Sequence, residues 1–155
     1  MTAHVVFSAL QQKRITLTQA VTVSDRAWRT QGSRMFIEMD RPVTVDELIH
    51  GMIIQSGNDA CVTLAEGIAG SEEVFAQMMN QQAARLGMKN THYMNSTGLP
   101  HPQHYTTAYD LSLLAAAIVR DFPEDFKYYS MKEYRYNNIT QPNRNRLLWL
   151  DSSVD

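Results

Sequence analysis

Ile53-Ile54-Gln55-Ser56-Gly57-Asn58-Asp59-Ala60 joins the end of one apolar segment to the start of another. Upstream, Thr44 followed three residues later by Glu47 makes a capping box, because the Thr hydroxyl accepts a free backbone N–H while the carboxylate reaches back to the cap. The helix it opens carries Leu48, Met52 and Ile53 inward and ends near Gln55. Downstream, Asn58 or Asp59 caps a second helix in which Cys61, Leu64, Ala65 and Ile68 share a face, until Gly70 ends it. Ser56-Gly57 thus lies in a tight junction between two apolar helices, with a hydroxyl and the Asn58 amide at one edge of a rigid unit. Ser, Gly and Asn are also what any interhelix turn contains, so chemistry alone leaves both a site and a plain connection open.

Helical spacing continues outward from this centre. Residues 3–10 space Val6, Phe7 and Leu10 as a helix does, and the polar Gln11-Gln12-Lys13-Arg14 closes it. Ser71 caps a long helix with Val74, Phe75, Met78, Met79, Ala83 and Leu86 in line and Gly87 just past its end. Thr106 or Thr107 caps another, whose buried stripe is Leu111, Leu114, Ala115 and Ile118 and which ends before Pro123. Residues 16–23, with Leu17, Val21 and Val23 apolar, and Met35-Phe36-Ile37 are short strand candidates. Residues 90–99 read as a loop with one extended piece, and residues 133–149 as an extended strand followed by a loop. No repeat or low-complexity linker divides the chain, so 1–155 is expected to be a single unit, mainly helical with short strands.

Composition removes several function classes. In 155 residues, 44% are hydrophobic and 19% charged, which is too apolar for a disordered segment. Fourteen basic against sixteen acidic side chains leave a charge of −2, so no field favours nucleic acid or an anionic membrane. The single cysteine, Cys61, allows no intrachain disulfide and no cysteine-based zinc cage. The longest apolar run, residues 113–119, falls far short of the roughly 20 residues that span a bilayer. Met1-Thr2-Ala3-His4-Val5-Val6-Phe7 is not a secretory signal. His101 and His104 flank Pro102, off any helix and without acidic co-ligands, and no glycine-rich loop precedes a helix to cradle phosphate. Neither a metal nor any other cofactor is expected. The nine methionines and the aromatics at 126–129 and 134–136 read as packing.

Gly51-Met52-Ile53-Ile54-Gln55-Ser56-Gly57-Asn58-Asp59-Ala60-Cys61, followed by Leu64-Ala65 and Ala69-Gly70-Ser71, resembles the serine D-alanyl-D-alanine carboxypeptidases among the low-molecular-mass penicillin-binding proteins. Ala27-Trp28, Gly32-Ser33, Met35-Phe36, Thr97-Gly98-Leu99, Thr106-Thr107-Ala108-Tyr109-Asp110 and Gln141-Pro142-Asn143-Arg144-Asn145-Arg146-Leu147-Leu148-Trp149 extend the resemblance over nearly the whole chain. It implies an α+β fold of the DD-peptidase and β-lactamase kind, of which these residues form the helical portion. It also implies a site built from Ser-x-x-Lys, Ser-x-Asn and Lys-Thr-Gly, and only the second motif, Ser56-Gly57-Asn58, is present. By the resemblance Ser56 passes a proton toward the leaving D-alanine and Asn58 donates its amide to the substrate carbonyl. Ser33, Gly57, Thr97, Gly98, Leu99 and Arg144 bind substrate, with the Arg144 guanidinium holding the terminal carboxylate.

The family's nucleophile stands just before a Met-Thr like Met1-Thr2, and its Lys-Thr-Gly just after a Val-Asp like Val154-Asp155. The expectation is therefore a segment cut at both motifs and inactive alone. The implied partners are the pentapeptide stem of peptidoglycan or a β-lactam, in the periplasm or elsewhere outside the cytoplasm. Helices carrying Val74, Met78 and Leu114 are expected to expose an apolar face and to self-associate. The opposing expectation is a non-catalytic helical fragment or binding module. A β-lactamase relative fits worse, because Gly occupies the middle of Ser-Gly-Asn. The stretch between Trp28 and Ser33 is shorter than usual for the family.

Overall fold

The structure, a computed structural model, describes residues 1–154, so Asp155 of the Val154-Asp155 pair lies outside the described residues. The chain runs through α1 (Thr2–Gln11), β1 (Ala20–Val21), α2 (Asp25–Arg29), β2 (Val43–Thr44), α3 (Val45–Ile54), α4 (Asn58–Ala69), α5 (Glu72–Arg85), α6 (Ala108–Asp121) and α7 (Pro123–Phe126). A 3-10 turn (Lys127–Ser130), β3 (Glu133–Tyr136), β4 (Ile139–Pro142) and α8 (Leu147–Leu150) complete it. The first eight residues of α4, Asn58 to Ala65, are all buried, and a helix without a wet face belongs at the centre. Helices α1, α2, α3 and α5 pack around it, and β3 with the 3-10 turn covers the far side of α3. Phe7, Met35, Leu48, Ile49, Leu64 and Phe75 are among the largest apolar contributions to this core.

Local signals place the helices. Both halves of the Thr44–Glu47 capping box form, Ser71 accepts from the Val74 amide and Thr107 from the Asp110 amide. Gly70 ends α4 in the left-handed region at φ +80°, where an L side chain would be strained. Ser24 caps α2 by accepting from Ala27 N at 3.0 Å, a helix too short to announce itself by periodicity. Among the described residues no helix is long and apolar enough to cross a membrane.

Five local expectations are corrected. Residues 16–23 contribute only the two-residue β1, which pairs antiparallel with β2, because Leu17 O and Gln19 O accept the Asp46 and Val45 amides opening α3, each at 3.0 Å. Met35-Phe36-Ile37 is not a strand: Phe36 sits at φ +67° and all three amides donate to the Asp59 carboxylate. Neither Asn58 nor Asp59 caps α4; Gly57 is the capping residue, the Asn58 side chain serves Gln31, and the Asp59 carboxylate serves Met35-Phe36-Ile37 besides Ala60 N. On α6, Leu111 and Ala115 face solvent while Asp110, Leu114, Ala117 and Ile118 are buried, since Asp110 accepts from Asn90 N and Thr91 Oγ1 and turns its face inward. On α5 Val74 is exposed, as expected of an apolar face there, because Glu72 holds the inward place through Arg26 and Ser96. The tail is a hairpin and not a single strand: Asn137 and Asn138, at φ +47° and +61°, reverse the chain between β3 and β4, and α8 follows.

Candidate active site

Helix α3 ends at Gln55, and Ser56 adopts φ +55°. A non-glycine residue in that region costs about 1–2 kcal/mol, so the surroundings must hold it there. They do so on both sides. Gly57 N donates to Gly51 O at 2.9 Å, Asn58 N donates to Ser33 O at 2.8 Å, and the buried Gln55 donates from Nε2 to Tyr134 O at 3.1 Å. Ser56 is consequently the exposed residue between buried Gln55 and buried Gly57. Gly57 allows the turn to close: a Cβ there would lie 3.1 Å from both Gly51 O and Met35 N.

Asp59 organises the wall beside the turn. Its carboxylate is fully buried; Oδ1 accepts from Met35 N at 2.9 Å and Ala60 N at 3.0 Å, and Oδ2 from Phe36 N at 3.0 Å and Ile37 N at 3.3 Å. Arg34 Nε stands 3.7 Å from Oδ2, and the guanidinium donates to Trp28 O. Asn58 donates from Nδ2 to Gln31 O at 2.8 Å, which leaves its second amide hydrogen uncommitted. Gly32, at φ +89°, lies against that amide so closely that a Cβ would come within 2.6 Å of Nδ2.

Across the turn, Arg144 donates from Nη2 to Ser33 Oγ at 3.1 Å, and Gln141 from Nε2 to Arg34 O at 2.9 Å. Asn143 fixes that segment by donating to Lys132 O at 2.7 Å through its backbone and to Met131 O at 2.8 Å through its side chain. Ser56 and Arg144 open on one cavity of about 510 Å³, whose apolar wall includes Ile53, Ile118, Phe126 and Tyr129. Burial pushes the Tyr129 phenol up to about 12, and burial followed by the Asp59 charge pushes the Cys61 thiol up to about 12, so both stay protonated at neutral pH.

Ser33, Ser56, Gly57, Asn58 and Arg144 therefore converge. Thr97-Gly98-Leu99 stands apart in a loop closed by Asn95, whose Oδ1 accepts from Gly98 N at 2.8 Å and whose Nδ2 donates to Leu99 O at 2.9 Å. Gly98 and Leu99 line a different cavity of about 470 Å³, and a Cβ on Gly32 would stand 4.0 Å from Leu99 Cδ2. Among the described residues no group of three His, Cys, Asp or Glu side chains could hold a metal.

The profile of the D-alanyl-D-alanine carboxypeptidase family matches residues 1–155. The chain belongs to that family. D-alanyl-D-alanine carboxypeptidase DacC of Escherichia coli is 46% identical over 155 residues, covering 96% of this chain and 39% of the relative. Penicillin binding protein 5 from Haemophilus influenzae superposes with a TM-score of 0.94 at 42% identity, over 97% of this chain and 45% of that one. A penicillin-binding protein of Listeria monocytogenes in its ampicillin-bound form superposes with a TM-score of 0.82 at 25% identity, over 96% of this chain and 60% of that one. The chain thus spans about 39% of the length of that curated relative, and its α+β fold is the one the resemblance implies. Around the turn stand residues to which the sequence reading gave no role in the site: Asp59, Gly32, Gln31 and Asn143. The usable signal was Asp59 itself, a carboxylate at the start of a helix whose inward positions from Cys61 on are mostly apolar.

Proposed function

We propose that these residues are the helical portion of a serine D-alanyl-D-alanine carboxypeptidase domain and supply its Ser-x-Asn element. The reaction is acyl transfer: a serine of the whole enzyme attacks the carbonyl between two D-alanines, the terminal D-alanine leaves, and water releases the acyl-enzyme. In this reading the Ser56 hydroxyl relays a proton to the departing amine. Asn58 turns its second amide hydrogen on the substrate carbonyl, and Arg144, steadied by Ser33, pairs with the terminal carboxylate. Gly57 supplies the close turn, and Thr97-Gly98-Leu99 borders the substrate through Gly32. The supporting observation is a strained, exposed Ser56 sharing one cavity with Arg144, while the Gly57 and Asn58 amides that follow it are tied down.

The substrate is the pentapeptide stem of peptidoglycan, β-lactams are mimics of it, and the place of action is the cell-wall space outside the cytoplasm. The same reading includes self-association through the apolar face expected around Val74, which is exposed on α5, together with Val119, Trp149 and Leu150, exposed on α6 and α8. The expected face is corrected at Leu114, which is buried. The test is the acylation rate by penicillin and by peptide in a protein carrying this segment together with Ser-x-x-Lys and Lys-Thr-Gly, compared with melting temperature, for Ser56→Ala and Asn58→Ala. Rates that fall only as far as stability falls would return the turn to an ordinary connection.

A further inference from the structure

The turn end of the β3–β4 hairpin and residues 38–47 enclose a second cavity of about 540 Å³, within the range of about 300–1,000 Å³ typical of small-molecule sites. It lies four strand residues, at about 3.3 Å each, from the open end of the hairpin that leads to Arg144. Its lining is polar where such sites are ordinarily apolar. Glu38 and Glu47 present carboxylates, which only accept, and Arg41 and Arg135 present guanidiniums, which only donate. Three of these groups are held in place: Arg41 Nη1 donates to Asn137 Oδ1 at 2.8 Å, Arg135 Nη2 to Asn138 Oδ1 at 3.1 Å, and Glu47 Oε2 accepts from Thr44 N at 2.9 Å. Each keeps further donors or acceptors free of those bonds.

Tyr136 also lines this cavity. The residue is 5% exposed, and its hydroxyl is buried with no hydrogen-bond partner among the described residues. Burial, followed by the negative charge of Glu47 and against the opposing charge of Arg41, raises its pKa, so the phenol stays a neutral donor and acceptor. A buried hydroxyl without a partner destabilises a fold, which makes it a group awaiting one.

We propose that this cavity is a subsite for a neutral saccharide. Two carboxylates and two guanidiniums sum to no net charge, so neither an anion nor a cation is preferred. Acceptor-only and donor-only groups side by side are matched by neighbouring atoms that each do both, and vicinal hydroxyls do. An apolar ligand would strip water from the four charges and return nothing. On the peptidase reading above, the saccharide is the glycan strand to which the stem peptide is joined; the binding itself does not depend on that reading.

The experiment titrates the N-acetylglucosamine trimer into the full chain, followed by backbone amide shifts and calorimetry. Saturable shifts are expected at residues 38–41 and 134–138. Tyr136→Phe removes one hydroxyl, so it should weaken binding about three- to tenfold while the protein melts higher, a pairing that a purely structural tyrosine would not produce. Arg41→Ala should weaken it at least about tenfold. No saturable shift with a folded chain, or equal affinity for Tyr136→Phe, overturns the proposal. So does D-alanyl-D-alanine, a zwitterion, shifting these amides where the trimer does not. Because the trimer contains no peptide, loss of acylation in the Ser56 and Asn58 variants bears on the peptidase reading alone.

Discussion

At Ser56 the backbone holds a strained φ of +55° while the flanking residues are buried, so strain and exposure coincide on one hydroxyl. Asn58→Ala removes one positioned amide donor, which is worth about 2.7–4 kcal/mol, or roughly a hundredfold to a thousandfold in acylation rate. Ser56→Ala removes a proton relay, for which the range is about a hundredfold to ten-thousandfold. Both losses are expected in a protein that carries the other two motifs, with melting temperature nearly unchanged for Ser56→Ala and lowered for Asn58→Ala by no more than the lost bond to Gln31 O accounts for. Asp59 behaves differently because its work is structural. Its carboxylate accepts four backbone amides in a dry interior, so Asp59→Asn, which turns donors toward donors, should cost on the order of 2–3 kcal/mol. Asp59→Ala should cost about 3–5 kcal/mol. Urea denaturation measures both, and losses below about 1 kcal/mol would show that water replaces the carboxylate.

The helices owe their ends to caps that act within one turn, and the hairpin owes its reversal to two asparagines with positive φ. Asn-Asn between two runs with aromatic and β-branched residues was a turn signal available at the outset, because asparagine tolerates the left-handed region better than most residues. Glycine tolerates it better still. Asn138→Gly, at φ +61°, should therefore raise stability by about 0.5–1 kcal/mol, seen as a higher melting temperature, with the exposed bond to Arg135 a small loss against it. A lower melting temperature would mean that the Asn138 side chain holds the turn more firmly than its backbone angle strains it.

The molecule as a whole buries His4 against Phe122, edge to face with ring centroids 5.2 Å apart, and its Nδ1 has no partner among the described residues. Burial, then the neighbouring positive charge of the chain terminus, lowers its pKa below the usual value of 6.5. The neutral ring is thus favoured in the folded state. That stability is present in full above about 6.5, and it is lost as pH falls from there toward the lower folded value. His4→Phe should flatten the slope of melting temperature between about pH 6.5 and 5. The full chain should form no covalent penicillin adduct, since these 155 residues contain neither Ser-x-x-Lys nor Lys-Thr-Gly to activate a nucleophile. Fluorescent penicillin with denaturing electrophoresis reads this, and a stoichiometric adduct on Ser56 would reassign its role.

The amino-acid order by itself determines where α1, α3, α4, α5 and α6 form and that Ser56-Gly57-Asn58 separates two apolar helices. Capping hydroxyls, 3.6-residue periodicity and glycines past helix ends act between residues at most a few positions apart. Tertiary structure alone decides what that turn faces. Met35 and Asp59 are 24 positions apart, and Arg144 and Ser33 are 111 apart. For the same reason Met35-Phe36-Ile37 has strand composition and no strand: a buried carboxylate from another element offers its amides a stronger partner than any nearby backbone. The inward face of α6 is decided likewise, by Asp110 reaching Asn90 and Thr91 across a loop. Hydrophobic count cannot anticipate such bonds, because which buried polar group meets which is settled only when the helices pack.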